Sequence, residues 1–365
     1  MDFSCTEAQV ELAGLVAKIV GDRATNERLR EVESEPDRFD RALWTHLAQA
    51  DVLAAALPSS VGGGGFGLLE QCSVLIELGR AAAPVPYLAS ITTAASALAQ
   101  FGTPEQQRRW AVPAANGELV LTAALTEENN PDLHRPVCRA ERLDGEWVLT
   151  GSKTTVPAGP VADLVLVPAS TSDGPRVFLV EPARLTIERQ RIVDSDSEAW
   201  LDLDGVRLSD DQVLGADSAV LDWLITRATV GACAHQAGVV ARALELTSEY
   251  ARERVQFGRP IGSFQAVAQR LADAFIDVEA VRLTLWQAAW QVDEGLPCAT
   301  EVATAKFWAA DAGHRVAHTA VHIHGGVGID VDHPLHRYFV AAKRNEFFLG
   351  GAADQLGRLG DALVD

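Results

Sequence analysis

The sequence predicts a multidomain α+β fold, helical at both ends with a β region between them. Three observations carry this reading. Apolar residues recur at helical spacing up to about residue 115, short alternating or β-branched runs fill 116–215, and long helical periodicity returns over 216–365. These shifts divide the chain into an α-helical domain (1–115), a β-sandwich or barrel domain (116–215) and a four-helix-bundle domain (216–365).

In the first region the spacing of Val10, Leu12, Leu15, Val16 and Ile19, and later of Leu68, Leu69, Val74, Leu75 and Leu78, gives each helix one apolar stripe. Leu57-Pro58-Ser59-Ser60 and the run Gly62 to Gly65 interrupt that pattern and predict a loop between helices.

The middle region reads as strands over Leu119–Leu125, Val137–Leu143, Trp147–Leu149, Leu164–Val167 and Val177–Val180. Asp144-Gly145, flanked by two such runs, is a favoured two-residue hairpin turn because both positions tolerate positive φ.

From Leu221 onward four helical segments follow, at 222–255, 264–294, 299–323 and 334–347. They are separated by Gly258-Arg259-Pro260, Leu296-Pro297 and Gly325-Gly326. A 30-residue helix spans about 45 Å, so segments of this length joined by short loops must bury apolar faces on one another or on a second subunit.

Composition narrows the function classes. With 31 Lys+Arg against 50 Asp+Glu the formal charge is −19, which opposes the counterion release that nucleic-acid binding needs. The 48% apolar content suffices for a sizeable core, yet no segment sustains the uncharged length of a membrane span. Met1-Asp2-Phe3-Ser4-Cys5 has no basic run leading into an apolar stretch, so a cytoplasmic location is expected. The cysteines at 5, 72, 138, 233 and 298 are odd in number and dispersed, which predicts buried thiols rather than disulfides or a zinc site.

Three clusters could carry chemistry. Gly62 to Gly67 contains G-x-G-x-x-G, but it follows a helical pattern rather than a strand, so a helix-to-helix connection is expected in place of a dinucleotide site. His314, His318 and His322 recur every four residues with His324 following, and could line one helical face. Acidic second-shell partners are missing from 315–329, which favours capping, packing or phosphate contacts over a metal. No serine or cysteine sits in a nucleophile elbow. The most informative stretch runs from Tyr250 to Gln265, YARERVQFGRPIGSFQ, where an arginine-rich helix end meets a Gly-Pro turn and another helix start. Such guanidinium forks bind phosphate bidentately, or alternatively complement the helix dipole.

That stretch resembles the R-x-Q-F-G-R-P-I-G-x-F-Q-A signature of the acyl-CoA dehydrogenases, FAD enzymes that remove two hydrogens across the α,β bond of an acyl-CoA. Phe101-Gly102-Thr103-Pro104-Glu105-Gln106-Gln107 is similar to the family's F-G-T-x-E-Q-x loop, and Leu57-Pro58 through Gly67 to its L-P-E-x-x-G-G-x-G segment. His322-Ile323-His324-Gly325-Gly326-Val327-Gly328 resembles its Q-x-x-G-G-x-G turn, and the helix/β/helix order matches too. The resemblance implies FAD as cofactor. It also implies that Arg254, Gln256, Phe257, Gln265 and the run His322, Ile323, His324, Gly325 and Gly326 reach the diphosphate and adenosine of an FAD held mainly by a neighbouring subunit. His322 replaces the usual glutamine, and its ring can still donate to phosphate or ribose oxygen.

The departures are concentrated elsewhere. The family's flavin-ring loop T-E-P-x-A-G-S-D is here Thr126-Glu127-Glu128-Asn129-Asn130-Pro131-Asp132, and K-x-W-I-T-N-G is Lys153-Thr154-Thr155-Val156-Pro157-Ala158-Gly159. The tryptophan that packs on the ring is gone, and Pro157 has no N–H to offer. Proton abstraction from an acyl α-carbon needs a carboxylate in a dry pocket. The two places where the family carries that glutamate hold Leu349 and Ala228, so no catalytic residue is expected here; Glu346 is the nearest relocated candidate.

One half of a composite site is thus kept and the other lost, as in the hetero-oligomeric acyl-CoA dehydrogenases of actinobacterial steroid degradation. That resemblance implies an α2β2 assembly with a homologous catalytic subunit, a bulky steroid side-chain acyl-CoA as substrate, and an electron-transfer flavoprotein as acceptor. The isolated chain is expected to be inactive. The alternatives are a self-sufficient homo-oligomeric enzyme with a relocated base, and a flavin-free structural subunit.

Overall fold

The computed structural model describes residues 4–194 and 196–362; Met1-Asp2-Phe3 of the segment read for a leader lie outside them. Helices, then strands, then helices follow one another as expected. By contacts the chain forms two compact units, one of Met1–Arg28, Cys72–Ala83 and Thr229–Asp365, the other of Leu29–Gln71 and Pro84–Ala228.

The second unit holds the strands. They are β1 (Leu121–Ala123), β2 (Arg139–Leu143), β3 (Glu146–Thr150), β4 (Ser152–Pro157), β5 (Leu164–Thr171), β6 (Gly174–Val180), β7 (Thr186–Gln190), β8 (Glu198–Asp202), β9 (Arg207–Leu208) and β10 (Val213–Leu214). One sheet runs β10-β6-β5-β2-β3-β9 with β1 parallel to β5, and a second runs β4-β8-β7. Leu149, Val165, Val167, Phe178 and Val180 of the first sheet share one buried cluster with Val156, Ala199 and Leu201 of the second. Asp144 and Gly145 adopt φ of 54° and 87°, the hairpin turn their types predict. Strands β4, β7 and β8 escaped the sequence reading because charged residues such as Lys153, Glu188 and Arg189 break their apolar alternation. The strand expected over Leu119–Leu125 is only the three residues of β1.

The same unit explains the F-G-T-P-E-Q segment. Thr103 caps the helix that starts at Pro104 through a reciprocal box with Gln106, whose Nε2 also donates to the carbonyls of Asp211 and Val213.

In the first unit the long helices Ala219–Glu253 (from Thr229), Gln265–Asp293, Ala299–His324 and Leu335–Phe347 lie within three residues of their expected bounds. A last helix, Ala352–Asp361, was not anticipated. Leu12, Val16 and Val20 turn inward on the first helix, while Val10 and Leu15 of the expected stripe are exposed. Val239, Ala243, Ala317, Leu335 and Tyr338 form one core cluster. Glycines let two helices touch backbone to backbone. A Cβ on Gly238 would sit 1.9 Å from the Ile76 carbonyl oxygen, and one on Gly79 would sit 2.2 Å from that of His235. A bidentate Arg80–Glu245 pair (2.8 and 3.0 Å) fixes the same contact. Of the cysteines, 72, 138 and 233 are buried as expected, Cys298 is half-buried, and Cys5, which precedes the first helix, is exposed.

Candidate functional site

The Ala219–Glu253 helix ends where Arg254 begins the retained motif. The Arg254 amide donates to the Tyr250 carbonyl (2.8 Å) and its carbonyl accepts from Ile261 N–H (2.8 Å), so its backbone is clamped. Its guanidinium, among the described residues, has no ion pair or hydrogen bond. Val255 pairs with Pro260 and Gln256 with Arg259, closing a tiny hairpin through Phe257 and Gly258 at φ of 52° and 79°. A bulky residue in the left-handed region costs about 1–2 kcal/mol. Phe257 is nevertheless there and 94% exposed, with an edge contact to Phe264 at 6.2 Å. Arg259 is occupied, lying over the Phe264 ring at 4.2 Å. Gln265 opens the next helix, exposed.

The second retained segment ends the Ala299–His324 helix, where Gly325 (φ 64°) reverses the chain. His322 is exposed and Ile323 buried. His324 is buried too, its Nδ1–H donating to the Ala320 carbonyl (2.8 Å) and its ring stacked on Tyr250 at 4.3 Å and 21°. Tyr250 lies one turn before Arg254, so this stack joins the two retained segments at one end of the bundle. A Cβ on Gly325 or Gly326 would meet nothing within 4 Å, so packing inside the chain makes no demand for glycine at Gly326. A free guanidinium fork, amide and imidazole donors and an open glycine backbone fit the diphosphate and ribose of FAD.

The two positions at which the resemblance places a base are closed. Leu349 is 2% exposed, at φ 60°, and Ala228 is also 2% exposed. Glu346 is taken, its carboxylate accepting from Lys343 Nζ at 2.6 Å and lying 3.2 Å from His314 Nδ1. The acidic partner of His314, absent from 315–329, therefore comes from the Leu335–Phe347 helix instead. His314 and His318 face each other with ring centroids 4.3 Å apart, and His318 abuts Phe339; no three metal-ligating side chains converge among the described residues.

In the other unit, the loop that departs from the flavin-ring pattern is bound to itself. Glu127 Oε1 accepts from Lys153 Nζ (2.7 Å) and Cys138 N–H (3.0 Å), while Oε2 accepts from Val137 N–H and Asn130 Nδ2 (2.9 Å). Burial pushes this carboxyl up, but the Lys153 ammonium and the two backbone amides outweigh it and hold the pKa at about 2. Thr155, where the pattern has tryptophan, sits in a β-bulge at φ 46°. Its amide donates to Gln190 Oε1 (2.6 Å) and its hydroxyl meets that of Thr126 at 2.9 Å. The buried Glu127–Lys153 pair was missed in the sequence; its signal was a lysine inside a β run, set against a carboxylate retained in a loop otherwise changed.

The Gly62–Gly67 run is the helix-to-helix connection expected. The amides of Gly62, Gly63, Gly64, Gly65 and Phe66 donate to carbonyls between Ala54 and Ser59, leaving no nest of free N–H groups.

Profiles of the acyl-CoA dehydrogenase N-terminal and C-terminal domains match residues 6–118 and 218–364. Acyl-CoA dehydrogenase FadE27 of Mycobacterium tuberculosis is 50% identical over 377 aligned positions, covering 100% of this chain and 99% of its own. The chain belongs to the acyl-CoA dehydrogenases. That family consists of FAD-dependent oxidoreductases. Among solved structures, a chain of the ChsE4-ChsE5 complex from Mycobacterium tuberculosis superposes with a TM-score of 0.96 at 50% identity, covering 100% of this chain and 99% of that one. A chain of the Tcur3481-Tcur3483 steroid ACAD superposes with a TM-score of 0.93 at 42% identity, covering 98% of each. Among the described residues no helix is long and apolar enough to cross a membrane.

Proposed function

We propose that this chain is the base-less subunit of a cytoplasmic, hetero-oligomeric acyl-CoA dehydrogenase, assembled as α2β2 with a homologous catalytic subunit. When bound, FAD would supply the hydride acceptor for the acyl β-carbon, and the homologous partner would supply the carboxylate base for the α-proton. This chain's own part is binding. The Arg254 fork neutralises diphosphate charge, Gln256 and Gln265 supply amide donors, and His322 donates to phosphate or ribose oxygen. Gly325 and Gly326 let backbone approach closely, while Phe257 covers apolar surface of the neighbour. Ile323 and His324, being buried, support the turn rather than reach the ligand.

One observation carries this reading: the donors of the retained half are exposed and unengaged, while both base positions are closed by the buried side chains of Leu349 and Ala228. The Gln265–Asp293 helix adds support. Ile276, Leu283 and Trp290 are 63%, 39% and 36% exposed at a seven-residue spacing, an apolar seam suited to another helix. Two of the similar folds belong to complexes named for two proteins each, ChsE4-ChsE5 and Tcur3481-Tcur3483, the second a steroid ACAD. They support a two-protein assembly acting on a steroid acyl-CoA; that the acyl group is a side chain and that electrons leave to an electron-transfer flavoprotein follow from the family resemblance alone. The self-sufficient alternative loses its base candidate, because Glu346 is bound to Lys343.

The test is to purify the chain alone and together with its homologous neighbour, record flavin absorption, and add a steroid side-chain acyl-CoA. Colour and substrate bleaching only in the pair are expected. Colour and bleaching in the chain alone would overturn the proposal.

A further inference from the structure

Resting on the shared-FAD reading, a second inference concerns residues that touch no ligand. We infer that Tyr250 and His324 act as a positioning pair, a strut that sets the spacing between the Arg254 and His322 halves of the diphosphate site. Each half emerges just past the end of a different helix: Arg254 after Glu253, and Gly325 after His324. Helix ends fray readily because their last carbonyls lack intrahelical partners. Here the ends are tied to each other by ring stacking at 4.3 Å and 21°.

The His324 ring is held on several sides. Nδ1–H donates to the Ala320 carbonyl at 2.8 Å, which fixes the ring on its own helix, and the His333 ring abuts it at 5.3 Å. Its Nε2 is buried with no hydrogen-bond partner among the described residues. A buried ring that leaves a nitrogen unsatisfied is retained here for its flat face and fixed orientation, since a plain apolar residue would avoid that desolvation. From Tyr250 the constraint passes directly to Arg254, whose amide donates to the Tyr250 carbonyl at 2.8 Å. The strut therefore holds the guanidinium-bearing residue against the His322 turn before any ligand arrives, and so reduces the ordering cost of binding.

The experiment titrates FAD into the flavin-stripped complex of this chain with its homologous partner, following flavin fluorescence. Tyr250→Leu is expected to weaken FAD binding about tenfold, and Tyr250→Phe to bind as the parent does. The double variant Tyr250→Leu/Arg254→Ala should bind no more weakly than Arg254→Ala alone, because the strut acts through Arg254. Parent-like binding by Tyr250→Leu, alongside weakened Arg254→Ala, would overturn the strut and leave the shared-site reading intact. Parent-like binding by Arg254→Ala would overturn that reading itself. Strictly additive losses in the double variant would also count against the strut. His324→Leu provides a second probe; if both leucine variants fail to assemble with the partner, the stack holds the bundle rather than the spacing, and the inference falls.

Discussion

Lys153 Nζ lies 2.7 Å from Glu127 Oε1, an ion pair whose two side chains are 0% and 4% exposed. It closes the loop that departs from the flavin-ring pattern. Breaking such a pair on one side leaves a buried charge alone, which costs about 3–5 kcal/mol. Lys153→Met should lower stability by that amount in urea unfolding, and adding Glu127→Gln should restore most of it. A silent Lys153→Met would show that the loop is held by the backbone amides alone.

The same carboxylate makes an acid-side prediction. Its folded pKa of about 2 lies below the ordinary carboxyl value of 4.5, so its stabilisation is complete above pH 4.5 and is lost as pH falls from there toward 2. Unfolding midpoints measured across that window should fall in the parent and fall less in Glu127→Gln.

His318, His324 and His333 are all shifted below 6.5, chiefly by burial; the Ala320 carbonyl opposes this at His324 and Asp330 opposes it at His333, while histidine neighbours, and Lys343 beside His318, add to it. For a group whose folded pKa is depressed, the unfolded chain takes up protons first, so stability drops as pH falls below 6.5. A thermal midpoint lower at pH 5.5 than at pH 7.5 is expected, and His324→Gln should shrink the difference.

Arg254 is proposed to grip a diphosphate by its planar fork. Losing charge-assisted hydrogen bonds of about 1.5–3 kcal/mol should weaken FAD retention by the assembled complex about ten- to hundredfold in Arg254→Ala. Arg254→Lys should recover only part of this, because an ammonium cannot bind bidentately. Equal recovery by lysine would mean that only charge matters.

Phe257 separates folding from function. Glycine carries no left-handed penalty, and a ring 94% exposed buries little, so Phe257→Gly should raise the stability of the isolated chain by up to about 1 kcal/mol. Flavin retention by the complex should fall in the same variant.

The order of helices and strands was legible because periodicity survives wherever one face is buried, as in Leu12, Val16 and Val20. The Asp144-Gly145 turn was legible because its conformation is written in residue type. Strands β4, β7 and β8 were not, since their sides carry Lys153, Glu188 and Arg189 and their pairing depends on distant partners. The residues proposed for the shared site were chosen from a local motif, while the Glu127–Lys153 pair, the Glu346–Lys343 contact and the Tyr250–His324 stack each join residues whose meeting only the fold decides. Leu349 illustrates both cases: its identity was plain in the sequence, but its left-handed backbone was not.

The exposed ring at Phe257 also bears on how a cell keeps two gene products in step. A surplus copy displays that aromatic side chain to water, as it does the apolar seam of Ile276, Leu283 and Trp290, whereas a copy assembled as proposed conceals them. Chaperones and proteases that survey exposed apolar surface can thus tell a widowed subunit from a married one, and unequal synthesis would be corrected by clearance of the unpaired chain rather than by control of its gene.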